Sequence, residues 1–263
     1  MPIVGRPLRD ATGLVEVKNR ARRDSRGAAL CAAAANAWEN DAQHECASVP
    51  AFLQLAQELL AHGAPAALVA RALDAACDEI SHAELCAKVA SRLHGASVRP
   101  TLPPFSGRPV PSVSQLAAES WLDGCLGEGA AASRASRASR LAVDLRCKAA
   151  QARIARDERR HAELAWDILR WALDQGGPPA AEAVRTLEVH VPPAATSEGE
   201  RLEHYGQLTA PAVESIFEQH AAWCVLRRDQ MLVRRSQNSD SSGEASGGAP
   251  SEASAHGKVP QGV

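Results

Sequence analysis

The sequence predicts an all-α protein whose body is a four-helix bundle of two antiparallel helix pairs, and three observations lead there. Ala dominates the apolar positions while only three Phe, one Tyr and two Met occur, and β-branched runs are scarce, so helix propensity is high almost throughout. Between about 25 and 176, apolar residues recur at steps of three and four in four long stretches separated by ordinary stop and start signals. The segment DEISHAELC at 78–86 also returns as DERRHAELA at 157–165, one copy in each half of that region.

Taken in order, residues 1–24 form an N-terminal extension with no sustained helical stripe, where GRPLRDATGLVEV suits a short hairpin about Thr12-Gly13. The first helix of the 25–176 region runs to about His62 and stops at Gly63; Pro65 suits the first turn of the second, which ends at Gly95. So short a joint makes the pair antiparallel. The proline-rich segment 95–112 cannot be helix and has the length of a crossover connection. A third helix starts near Ser112 or Ser114 and runs to about Leu141, after which Asp144 caps a fourth that ends at Gly176-Gly177. Residues 177–235 form a C-terminal helical extension: a short helix over about 180–189, the loop VPPAATSEGE, and a longer helix over about 211–234. The tail, 236–263, has almost no apolar residue large enough to bury and is expected to be disordered.

With 263 residues and 45% hydrophobic content, the chain supports one sizeable core. A formal net charge of -2 creates no overall field that attracts nucleic acid or an anionic membrane, so neither is expected as a partner. No apolar run approaches the roughly 18 residues of a membrane span, and MPIVGRPLRD lacks the apolar core of a secretory signal. The expected location is cytoplasmic. Seven cysteines (31, 46, 77, 86, 125, 147 and 224) stand singly and never as Cys-x-x-Cys. They read as small buried hydrophobes rather than a zinc ribbon or a disulfide framework.

The repeat carries the chemistry. Trp38 precedes Glu45 by seven residues and Trp121 precedes Glu128 by the same seven, so each half offers Trp-x6-Glu followed by Glu-x-x-His. A bare Glu-x-x-His is weak; the shared flanks give it force. Glu and His three residues apart project only about 60° from one another, so both reach one ion. Alternating steps of three and four through each candidate give Trp38, Ala42, Glu45, Val49 and Phe52 on the first helix, and Ala75, Glu79, His82, Cys86 and Val89 on the second. The third gives Trp121, Cys125, Glu128, Ala132 and Ala135, the fourth Gln151, Ile154, Glu158, His161 and Ala165. Apart from Gln151, the only polar residues on these stripes are the candidates.

An isolated buried carboxylate costs several kcal/mol even after relaxation. Two divalent cations offset four carboxylates, and oxygen with imidazole donors suits iron or manganese rather than a thiolate-bound structural zinc. The candidate ligands are therefore Glu45, Glu79, His82, Glu128, Glu158 and His161. Asp78 and Asp157, each four residues before a histidine, are placed to orient an imidazole of the facing helix. Glu84 and Glu163 point away and read as solvated, and His44 and Cys46 lie off the stripe. Arg134, Arg137 and Arg140 read as a solvated face, Trp38 and Trp121 as core packing, and His190, His204 and His220 as surface or locally bonded residues.

This set, Glu45, Glu79-x-x-His82, Glu128 and Glu158-x-x-His161, resembles the ligand set of the ferritin-like di-iron and di-manganese carboxylate proteins over roughly 25–176. GAPAALVARALDAACDEISHA and RIARDERRHAELAWDILRWAL also resemble uncharacterised bacterial ferritin-like proteins. The resemblance implies a ferritin-like bundle with two iron ions, or manganese as the alternative. Glu79 and Glu158 would bridge the ions, Glu45 and Glu128 would be terminal, and His82 and His161 would bind one ion each. The resemblance assigns no reaction; open coordination positions between the carboxylates would permit an oxidoreductase that meets dioxygen or peroxide, with substrate and electron donor left open and a homo-oligomer permitted. The alternatives are an iron-handling ferroxidase that stores iron in a shell, and a metal-stabilised scaffold without turnover. The segment 178–235 and the polar tail sit poorly in a tight shell. Tyr205, the single tyrosine, lies outside the four helices, against a radical-storing role, and the missing Cys-x-x-Cys departs from a complete rubrerythrin.

Overall fold

A computed structural model describes residues 9–10, 13–14, 29–105, 107–190 and 202–244. Within the N-terminal extension, Arg9–Asp10 and Gly13–Leu14 pair antiparallel, with Arg9 opposite Leu14 and Asp10 opposite Gly13, where the hairpin was expected. All other regular structure among the described residues is helical.

Helix α1 (Ala29–Ala61) and helix α2 (Ala66–His94) are joined by a short turn. Gly63 and Gly95 take the left-handed conformation (φ +66° and +68°) that ends a helix without a Cβ penalty. The two helices run antiparallel: Cys31 Sγ near the start of α1 donates to Leu93 O at the end of α2, and His94 Nε2 lies 3.2 Å from Glu39 Oε2.

The third predicted helix divides into α3 (Val113–Glu119), a π-helical segment (Ser120–Glu128) and α4 (Gly129–Leu141). Ser112 caps α3 by accepting from the Gln115 N–H. Helix α5 (Leu145–Arg185) begins where Asp144 accepts from the Arg146 and Cys147 N–H groups. It breaks at Gly177 (φ 55°, ψ -142°), the expected end, and turns helical again across Pro178 and Pro179 as far as Arg185.

Ion pairs set the directions. Arg71 meets Asp167 at 2.6 Å and Arg92 meets Asp144 at 2.9 Å, so α2 and α5 are antiparallel. Val113 lies against Gly176, so the third helix also runs antiparallel to α5 and therefore parallel to α2. The segment 95–112 must then travel back along the helices, as a crossover does. Arg108 ties it down: its Nε donates to Glu58 Oε1 at 2.9 Å and its other nitrogens donate to Glu119. His62 Nε2 adds a bond of 2.7 Å to Pro111 O. This all-helical arrangement is compatible with a ferritin-like fold.

The core is layered. Phe52, Leu55, Leu59, Leu68, Leu116 and Ile168 form one apolar cluster, and Trp38, Ala42, Cys86, Val89, Ala135 and Ile154 form another. In each of the four stretches the candidate ligands fall between a residue of one cluster and a residue of the other. The polar layer is thus closed above and below by apolar side chains.

Beyond α5 come a 3₁₀ turn (Leu202–Tyr205) and helix α6 (Ala210–Glu244). Helix α6 runs as far as Glu244, into the first part of the segment expected to be disordered. The loop VPPAATSEGE and the rest of the tail, 245–263, lie outside the described residues. The chain divides into two compact units, Met1–Val225 and Leu226–Val263. Among the described residues no helix is long and apolar enough to cross a membrane. All seven cysteines are free thiols; five are buried as expected, whereas Cys31 is half-buried and Cys77 exposed.

Candidate metal centre

The stripes bring all six candidate ligands together. Donor atoms of Glu45, Glu79, His82 and Glu158 lie within 4.8 Å of one another, as do those of Glu128, Glu158 and His161, and every one of these residues is buried. Glu158 belongs to both groups. Its Oε1 is 3.4 Å from His82 Nδ1 and its Oε2 3.4 Å from His161 Nδ1. Glu79 is placed in the same way, with Oε1 3.2 Å from His161 Nδ1 and 3.9 Å from His82 Nδ1. Glu45 reaches only the His82 side, with Oε2 3.7 Å from Nδ1.

The aspartates of the repeat act across the helix pair. His82 Nε2 donates to Asp157 Oδ2 at 3.2 Å, and His161 Nε2 donates to Asp78 Oδ2 at 3.2 Å. Each copy of the repeat thus supplies the aspartate for the other copy's histidine. The bond fixes the ring and leaves Nδ1 aimed at the carboxylates, the arrangement that prepares an imidazole as a ligand. Phe52 packs edge-on against His161 with ring centres 5.0 Å apart.

Without a cation, these groups share protons. Burial and then the charge of Glu79 push the Glu45 carboxyl well above its usual range, and burial with Glu158 does the same to Glu128. Burial opposes charge on His82 and His161, yet hydrogen bonds to Asp157 and Asp78 and the surrounding glutamates raise both imidazoles. Burial likewise works against ionising Glu79 and Glu158, and the histidines overcome it, so both stay below the usual range. The shifts thus run in opposite directions within one layer, which leaves the set poorly bonded. Glu45 Oε2, both oxygens of Glu79 and of Glu128, Glu158 Oε2 and the Nδ1 atoms of His82 and His161 are buried with no hydrogen-bond partner among the described residues. Buried polar atoms are nearly always bonded, and eight such atoms converging on one layer fit a pair of divalent cations.

Several residues behave differently from their sequence reading. Arg134 is not on a solvated face: its guanidinium is largely buried, lies 3.5 Å from Asp41 and feels the charges of Glu45 and Glu158, while Arg137 and Arg140 are exposed as expected. Asp41 also accepts from Gln207 Nε2 at 2.7 Å. Asp41 stands four residues before Glu45, the one signal that could have marked it; nothing in the sequence points to Gln207. His220 of α6 rests on the π segment, with Nε2 3.0 Å from Cys125 O, in space that exists because Gly129 has no Cβ. Gln151, the odd polar residue on the fourth stripe, donates to Gly206 O at 2.8 Å, and Trp38 Nε1 donates to Tyr205 O at 2.8 Å. His44 and Cys46 stay outside the ligand groups, and Glu84 and Glu163 are exposed. No protein-family model matches the chain, and comparisons with curated proteins and with solved structures also give no match.

Proposed function

We propose that the chain is a ferritin-like four-helix-bundle protein that holds two iron ions, or two manganese ions, and works as an oxidoreductase on dioxygen or a peroxide in the cytoplasm. The observation that carries the reading is the layer of eight buried donor atoms without hydrogen-bond partners, drawn from a duplicated motif. In this reading Glu79 and Glu158, each within reach of both histidines, would be shared between the two ions, Glu45 and Glu128 would each serve one, and His82 and His161 would hold one ion each through Nδ1. A bound redox-active pair supplies electrons to the oxidant and recovers them from a donor.

The chain's own contribution is to orient and to exclude. Asp78 and Asp157 hold the Nε2 protons, so each Nδ1 presents its lone pair inward once its proton leaves. The apolar clusters on either side keep bulk water from the carboxylates and strengthen every charge interaction within the layer. Replacing six polar residues by apolar ones of similar volume would often be neutral or stabilising by about 1–4 kcal/mol. A site kept against that alternative fits chemistry better than scaffolding.

Two measurements test the reading. Elemental analysis should find about two iron or manganese ions per chain, since one layer offers two matching ligand sets; no metal after anaerobic reconstitution with ferrous ion rejects it. Stopped-flow mixing of the reduced protein with dioxygen or hydrogen peroxide should give a ferric absorption that Glu45→Ala or Glu128→Ala slows or abolishes. A loaded protein that stays ferrous for hours with both oxidants is a metal-stabilised scaffold instead, and a very large particle by size exclusion marks a storage shell.

A further inference from the structure

The two halves of the repeat match at the candidate ligands and differ around them. Asp157 is ringed by three guanidiniums of its own helix: Arg160 Nη1 at 2.7 Å, Arg156 Nε at 3.1 Å and Arg153 Nε at 3.7 Å. At the corresponding positions beside Asp78, the first copy has Ser81, Cys77 and Asp74. Among the described residues a single guanidinium reaches Asp78, and it is borrowed: Arg160 Nη2 extends across to its Oδ2 at 2.8 Å. One arginine therefore clamps both aspartates, and through them both histidines.

Exposure follows the same asymmetry. The Asp157 side chain is 2% exposed and that of Asp78 22%. A cavity of about 430 Å³ opens beside Asp78, with Asp74, Cys77, Asp78, Arg160 and His161 in its wall. The other histidine, His82, is fully buried and does not line that cavity.

We propose that Arg160 is a positioning residue that braces both histidines through their aspartates, and that the broken symmetry around it makes the two ion positions unequal. The position at His161 exchanges with solvent through the cavity beside Asp78; the position at His82 is retained. A ligand histidine loses its hold when its hydrogen-bonded carboxylate is free to move, and Asp78 is the less restrained of the pair. The cavity wall carries two carboxylates, Asp74 and Asp78, beside two guanidiniums, Arg71 and Arg160, so it offers an entering cation carboxylate oxygens without a net opposing field. This inference rests on the dinuclear reading and deepens it.

The test is metal release. Protein loaded with two equivalents of cobalt(II), freed of excess metal and challenged with EDTA, should lose cobalt absorbance in two phases of equal amplitude. His161→Ala should remove the fast phase and His82→Ala the slow one. Arg160→Ser should accelerate both phases by about tenfold or more, in line with the effect of losing an outer partner. Arg160→Lys, which keeps the charge but not the fork, should not restore the slow phase. Ser81→Arg gives Asp78 the same three-residue pairing that Arg160 gives Asp157, so it should slow the fast phase; this variant decides the matter if Arg160→Ser does not fold. Release of both ions in one phase, or two phases unchanged in Arg160→Ser and Ser81→Arg alike, overturns the proposal while leaving the dinuclear site intact. Failure of the wild type to take up cobalt sinks the dinuclear reading itself, and this inference with it.

Discussion

At the scale of single residues, small buried side chains take their chemistry from their neighbours. Burial, and then the charge of Asp144, push the Cys147 thiol up to about 12; burial with Glu45 pushes Cys46 up to about 11. The thiolate is the reactive form, so near pH 8 about one Cys147 in ten thousand is reactive at any moment. Cys77, by contrast, is exposed. Iodoacetamide at pH 8 should therefore modify Cys77 in the folded protein and leave Cys46 and Cys147 unmodified until denaturant is added. Peptide mapping by mass spectrometry reads the result, and rapid labelling of Cys147 in the native state would contradict this burial.

At the scale of elements, the π segment and α6 depend on one another through a missing side chain. A Cβ at Gly129 would lie 2.2 Å from His220 Nε2, so α6 can seat His220 there only because residue 129 is Gly. Gly129→Ala gains about 1 kcal/mol of helix propensity but overpacks a filled site at a cost of about 1–3 kcal/mol. The clash should win, lowering stability in urea titrations. In a His220→Ala background the clash is gone, and the same Gly129→Ala change should become stabilising. Equal effects in both backgrounds would show that His220 does not occupy that space.

At the scale of the whole molecule, the polar layer ties stability to pH. In the metal-free protein Glu45, Glu128, His82 and His161 hold their protons above the ordinary values of 4.5 and 6.5. A raised group favours folding fully below its unfolded value and loses that contribution as pH climbs towards its folded value. Glu79 and Glu158 are lowered, so their contribution is present above 4.5 and disappears below it. Through these six groups the folded state binds more protons than the unfolded chain above about pH 5, and each raised group lowers stability by at most about 1.4 kcal/mol per pH unit; His44 and His220, lowered by burial, work the other way below 6.5. Urea midpoints of the metal-free protein should decline from about pH 6.5 to pH 8, where the unfolded-state histidines have lost their protons and His44 and His220 no longer offset the fall. Loading with a divalent cation should flatten the decline, because the cation takes the place of those protons. A midpoint that rises over that range would refute the proton-sharing picture.

The sequence by itself determined the helical body, its breaks at Gly63, Gly95 and Gly177, and the six polar residues that share its inner stripes. These are local matters: periodicity, capping and a repeat whose two copies must face one core. The aspartates were legible too, because four residues along a helix keeps Asp78 and Asp157 on the histidine face. Only the tertiary structure decided how the layers meet. The crossing of Asp157 to His82 and Asp78 to His161, the reach of Arg160 to Asp78, and the burial of Arg134 against Asp41 each join residues from different helices. The π segment was equally hidden, because Trp121 and Glu128 stay buried at the spacing an α-helix would give them, and the His220 that sits against Cys125 comes from 95 residues further along the chain. Spacing along one helix fixes which side chains share a face; which partners that face meets depends on how separate helices pack, and no local pattern carries that information.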